Sequence, residues 1–295
     1  MQNVLLQAHI DESSDREQEN VLCVGGILAH PQNLAAMQNA WAERLWVPDE
    51  IAYFRATDCR RVNGAFFKLR NKYGSGAQAV ADKIRGDLER ILLSYSWIGF
   101  GIGVLIPDYL EIWNSFPAAR RFYQEDPAEA AYAGLFFEIA RAARKNAPDH
   151  QVAYIIDDST HSGMISAAFD GLKINHPEVV RGMATLAPKD DKLTPPLQMA
   201  DLLASLVKDN FIQWLASGKP EHVPLEEKWH DHFELIGRWD KEHMLINMAD
   251  TLNDPRYSAG LLARKPLPQP TKQELKRREK FRRKALIKAA ANRCE

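Results

Sequence analysis

The chain has 295 residues, 45% hydrophobic and 26% charged, with a formal net charge of −1. That length builds one large domain or two modest ones with an ample core, and no apolar run nears the ~20 residues of a membrane helix. Its three cysteines (Cys23, Cys59 and Cys294) form no CxxC pair, which excludes a disulfide framework and a cysteine zinc site. Met1–Gln7 has no basic region ahead of an apolar run, so no secretory leader and a cytoplasmic location are expected.

In chain order, residues 4–10 read as a strand that ends at Asp11-Glu12, and 21–28 as its antiparallel partner across a polar turn. Pro31 to Trp46 predicts a helix. Residues 51–67 read as two apolar pieces around a polar loop, 57–64. Gly76 to Leu93 predicts a second helix, with Val80, Ile84 and Leu88 on one face. Residues 97–106 are apolar throughout, as in a strand buried on both faces. Their glycines, Gly99, Gly101 and Gly103, alternate within that strand and lack the frame of a phosphate loop.

Pro127 to Asn146 predicts a helix, and 151–156 a strand ending at Asp157-Asp158. A helix capped by Thr160 or Ser162 runs toward Ile174, and Glu178 to Leu186 reads as a short strand. Pro196 suits the first turn of a helix that continues to about Leu215. Trp229, Phe233, Leu235, Ile236 and Trp239 are expected on a further helix. The order predicts an α/β domain with a mixed sheet flanked by helices over 1–217, and a helical extension packed on it over 218–264.

Residues 265–295 are expected to be a Pro-rich linker and a basic tail. From Thr271 onward the chain carries net +7, which leaves −8 for the rest. Lys276, Arg277, Arg278, Arg282 and Arg283 give this tail the character of a polyanion-binding arm, although a solvated tail has the same composition.

Three acidic positions carry the functional expectation. Asp11-Glu12 and Asp157-Asp158 end strands, where α/β sheets gather their sites. Asp201 interrupts an otherwise apolar helix, and a buried carboxylate requires a cation or donors. Asp11, Asp157, Asp158 and Asp201 are candidate ligands for Mg²⁺ or Mn²⁺, since hard oxygen donors suit these ions. Each position also suits a turn or a cap when read alone; the expectation rests on the set. The Lys189–Lys192 run reads as a solvated loop, although Lys192 is a candidate phosphate contact. His222, His230 and His232 lack zinc-site spacing, and His161 is more readily a helix-start residue than a general base.

Asp11-Glu12-Ser13, Gly25-Gly26, Ile155-Ile156-Asp157-Asp158 and Pro196–Ala204 (PLQMADLLA) together resemble the domain of unknown function 3800 family, over roughly residues 4–215. The resemblance implies a ribonuclease H-like fold with Asp11, Asp157 and Asp201 around a divalent ion, Glu12 and Asp158 beside them. Two departures from the family pattern stand out. Ser14 replaces a glycine after the DES motif, and Arg55 replaces a histidine in Phe54–Asp58, where it becomes a candidate phosphate ligand.

The expected function is therefore a metal-dependent nuclease or phosphodiesterase acting on nucleic acid. The alternative is a catalytically inactive binding module of the same fold with a nucleic-acid or protein partner. Oligomeric state is not legible.

Overall fold

The computed structural model describes residues 5–15, 20–116, 126–158, 162–219 and 222–253. His161, the linker and the basic tail, with Lys276, Arg277, Arg278, Arg282 and Arg283, lie outside the described residues.

Among those residues the chain forms β1 (Leu5–Ser14), β2 (Val21–Ala29), α1 (Pro31–Trp46), α2 (Ala56–Arg61), α3 (Phe67–Tyr73), α4 (Ala77–Leu93), β3 (Ile98–Leu105) and α5 (Ile106–Ser115). It continues with α6 (Pro127–Asn146), β4 (Gln151–Asp157), α7 (Ser162–Asn175), β5 (Met183–Lys189), α8 (Pro195–Ala216), β6 (Phe233–Trp239) and α9 (Lys241–Asn253). The strands make one sheet in the order β5-β4-β1-β2-β3-β6. β1, β2 and β3 pair antiparallel, whereas β4 joins β1, β5 joins β4 and β6 joins β3 in parallel. This is the expected mixed sheet flanked by helices, with six strands.

Alternate residues of each strand face opposite layers. Ala8 and Ile10 of β1, Val24 and Leu28 of β2, and Phe100 and Ile102 of β3 pack with Leu135, Phe136 and Ile139 of α6. Ile27 of β2 packs on the opposite layer, with Met199, Leu202, Leu203 and Leu206 of α8 and with Trp41 of α1 and Leu88 of α4. α6 begins on Pro127, and the Asp126 carboxylate accepts the Ala128 N–H, so the predicted start is capped as such a sequence requires.

The approach of α8 to the sheet depends on missing side chains. A Cβ on Gly25 would fall onto the Ala204 backbone, with Ala204 Cα only 2.6 Å away. One on Gly101 would meet Val207 Cγ2 at 2.6 Å. The alternating glycines of β3 and the pair in β2 are therefore close-packing positions.

Three expectations need correction. Phe233–Trp239 is not a helix but the edge strand β6; its residues are mostly half-buried, and the run was short enough to read either way. Residues 178–182 turn instead of extending, with Val180 N–H donating to His176 O, so β5 starts only at Met183. The polar stretch from Thr57 is not a loop: it forms α2, which ends on the left-handed Val62 (φ 44°).

Candidate active site

Asp11 lies directly across from Gly25 in the β1–β2 register. Both positions therefore face the α8 layer, and Gly25 is where Ala204 presses onto the sheet. Asp201 precedes Ala204 by about one helical turn, so the close packing at Gly25 delivers its carboxylate beside Asp11. On the other flank, Ile10 pairs with Ile156 in parallel. One residue further, Asp157 follows on β4 beside Asp11, again on the α8 side. Three carboxylates from three separate parts of the chain thus meet at one end of the sheet.

They line an open cavity of about 470 Å³, with Glu12 and Arg55, two further expected residues. Asp158 and Lys192 are not in its wall. Asp158 is exposed, and its N–H extends the ladder to Lys189 O at 2.9 Å. Lys192 sets its ammonium over the Tyr53 ring, 5.5 Å from the centroid.

Asp191 is the residue that reading by sequence missed. It sits in a Lys-Asp-Asp-Lys run that looks solvated, yet it is only 5% exposed and lines the cavity. Its carboxylate accepts from Arg55 Nε at 2.5 Å. The anchor is Gln198, buried on α8. Its Oε1 accepts from Trp41 Nε1 at 3.1 Å and from Phe54 N–H at 3.0 Å, while its Nε2 donates to Asp191 O at 3.0 Å. One amide thereby fixes both the loop that carries Arg55 and the loop that carries Asp191. No spacing rule signals this; a buried Gln in an apolar helix was the available clue.

Burial, and then the charges of Asp201, Asp157 and Glu12, push Asp11 well above the usual carboxylate range, against one hydrogen bond from Glu12 N–H at 2.7 Å. Burial likewise raises Asp201, to about 6, aided by the Asp191 charge and opposed by the Ala56 N–H, which donates at 2.6 Å, and by Arg55 and Lys208. Asp157 is raised by burial and by Asp191, and lowered by Arg55 and by backbone hydrogen bonds from Asp191 and Asp158. The carboxylates therefore disfavour one another's charge, as a group awaiting positive compensation does.

The donor set suits a hard divalent cation, being carboxylate oxygen throughout. The spacing is less committed: among the described residues no cluster of three or more His, Cys, Asp or Glu side chains is close enough to hold a metal ion as it stands. Also among the described residues, no helix is long and apolar enough to cross a membrane. The histidines expected to form no zinc site are engaged otherwise: His230 Nε2 lies 3.0 Å from Leu225 O, and His232 stacks on Trp97 with centroids 4.8 Å apart.

No family model matches the chain. No curated protein matches it either. Eight chains of solved structures do. One belongs to a structure described as the PCNA:RNase HII complex from Archaeoglobus fulgidus, which covers 85% of this chain and 92% of its own at 11% identity and a TM-score of 0.37. A likeness at that level adds nothing to what the strand order shows: the chain has an α/β fold built on a mixed six-stranded sheet, with its acidic cavity at one end of the sheet.

Proposed function

We propose that this protein is a divalent-metal-dependent phosphodiester hydrolase acting on nucleic acid, of the kind its resemblance to the domain of unknown function 3800 family implies. The observation that carries the reading is the meeting of Asp11, Asp157 and Asp201, from β1, β4 and α8, in one open cavity. Asp11, Asp157 and Asp201 would hold Mg²⁺ or Mn²⁺, with Glu12 at the edge of the same group and Asp158 outside it. Such an ion, when bound, supplies charge for the phosphoryl oxygens and acidifies a water molecule.

The chain's own residues do the rest. Asp201 is held by the Ala56 N–H, so only part of its carboxylate is committed to the backbone. Asp11 is oriented in the same way by the Glu12 N–H. Arg55 keeps one edge on Asp191 and stands at the cavity wall, where a planar guanidinium suits a phosphate oxygen pair. The Arg55–Asp191 pair also moderates the negative field, since Arg55 lowers both Asp157 and Asp201.

The decisive assay compares wild type with Asp201→Asn on single- and double-stranded DNA and RNA, with Mg²⁺, Mn²⁺ or chelator. Loss of metal-dependent cleavage by at least about 100-fold in the variant is expected. Equal cleavage by the two proteins would remove the hydrolase reading. Absence of cleavage by both, with strand binding retained, would favour the inactive binding module.

A further inference from the structure

Beyond the acidic centre, the same cavity has a cationic wall that the metal-ion chemistry does not use. Asp201, Lys208 and Ile212 all lie on α8 and all line the cavity. They fall along one stripe of the helix, which leads from the carboxylates to the cavity mouth. Lys208 is only 5% exposed. Among the described residues its ammonium has no hydrogen bond or ion pair. Burying a lysine without a hydrogen-bonded partner is costly, and burial with the Arg60 charge lowers its pKa, against the more distant charges of Asp209 and Asp201.

Arg60 stands beside it on the wall, supplied by α2. It is not a mobile surface arginine. Its guanidinium donates to Ser205 Oγ at 2.8 Å and to Asp209, which also receives Arg85 at 3.5 Å. Asp209 is thus shared between two arginines, and Arg60 is braced with its charge only partly met. A braced arginine and an unpartnered, nearly buried lysine opening on one cavity form an anion seat.

The distance identifies the ligand. Seven residues at 1.5 Å each set the backbone of Lys208 about 10 Å along α8 from Asp201. Helical side chains lean toward the N-terminus, so the lysine stem reaches back toward the acidic centre. A single nucleic-acid strand carries a phosphate about every 3.4 Å of axial rise. An anion at Lys208 is thus the phosphate one to three nucleotides from the one at the carboxylates. Ile212, 43% exposed, adds apolar surface at the mouth for a sugar or base.

We propose that Lys208 and Arg60 form a second phosphate subsite, which makes the substrate a polynucleotide strand and not a small isolated phosphodiester. This deepens the hydrolase reading and rests on it for the word substrate; the subsite itself is a binding claim that can be tested apart.

The test measures binding of a labelled oligonucleotide of about 20 residues, single-stranded and duplex, as a function of salt, in the Asp201→Asn background so that the strand stays intact. Lys208→Gln is expected to weaken binding about tenfold and to reduce the salt slope by about one, and Lys208→Arg to restore both. In the wild-type background, Lys208→Gln is expected to raise KM for the strand by a much larger factor than it changes hydrolysis of bis(p-nitrophenyl) phosphate, where only its charge near Asp201 is felt. If Lys208→Gln melts early, Arg60→Gln reads the same slope, with the same expected loss. Unchanged affinity and slope overturn the subsite, and so does an equal loss on the strand and on the small diester. Binding that depends on Lys208 in a protein that cuts nothing upholds the subsite while the hydrolase reading fails.

Discussion

The two faces of the sheet are built from the same strands and behave as opposites. On the α6 side, Ala8 and Ile10 of β1 share one apolar cluster with Leu135, Phe136 and Ile139. On the α8 side, the intervening residues of β1 are His9, Asp11 and Ser13. His9 is 3% exposed, and burial alone lowers it to about 3, so it stays neutral in the layer. The period-two alternation of one strand therefore sorts stability to one face and chemistry to the other. The apolar face offsets what the charged face costs, and this asymmetry is what mutations can probe.

The largest expected effect lies on the quiet face. Phe136 is fully buried against Tyr154 and Phe169, with ring centroids 5.3 and 5.4 Å away. Phe136→Ala is expected to cost about 3–5 kcal/mol in chemical denaturation. Strand binding per folded molecule, measured below the melting range, should not change; a matching loss of binding would blur the division of labour.

Next comes the seam where α8 meets the sheet. Gly25→Ala places a methyl group against the Ala204 backbone, which cannot swing aside as a side chain can. Overpacking of this kind costs about 1–3 kcal/mol. Because Asp201 rides on the same helix, the variant should also lose metal response in a thermal melt. A variant with normal stability and normal metal response would mean that the seam does not set the position of Asp201.

The charged face predicts an inverted pH dependence. Asp11, Asp157 and Asp201 are all raised in the folded chain. The native state then holds protons that the unfolded state has released, so stability falls as pH rises from the unfolded carboxylate value, about 4, through the raised values. Buried His9 acts in the opposite sense, losing stability as pH falls below about 6.5, so the effect is read as a difference: in chelator, wild type should lose more stability (or gain less) from pH 5 to pH 7.5 than the Asp11→Asn, Asp201→Asn double variant. An equal change in the two proteins would assign the dependence to other groups.

The smallest effect concerns the Arg55–Asp191 pair. Arg55 is 41% exposed at its side chain, so the ion pair itself is screened, but Asp191 is buried and would lose its partner. Arg55→Gln is expected to cost about 1 kcal/mol, largely recovered when Asp191→Asn is added. Additive losses in that double-mutant cycle would show that the two do not act as a unit.

Much of this arrangement can be read from the residues, and the exceptions have causes. α1 and α6 are bounded as their patterns predict, because each starts on a proline and carries a regular apolar stripe. Asp11, Asp157 and Asp201 are recognisable because two of them end apolar strands and one interrupts an apolar helix. β6 escaped because an edge strand exposes one side, and its Phe, Leu, Ile and Trp spacing satisfies a helix as well. Asp191 escaped because nothing local distinguishes it from Asp190, whose carboxylate merely caps the Lys192 N–H at 2.9 Å. Lys208 lies two turns beyond Asp201 on α8, too far to be its direct partner. Its role emerges only from the shape of the cavity they share.

Gln198 has a consequence for how the site can change. A single carboxamide is the common tether of an indole on α1, a main-chain amide before Arg55 and a main-chain carbonyl at Asp191. The two loops at the cavity wall therefore share one mooring on the helix that carries Asp201. A displacement of either is transmitted to the other through that knot, and the wall and floor of the cavity would shift together or not at all.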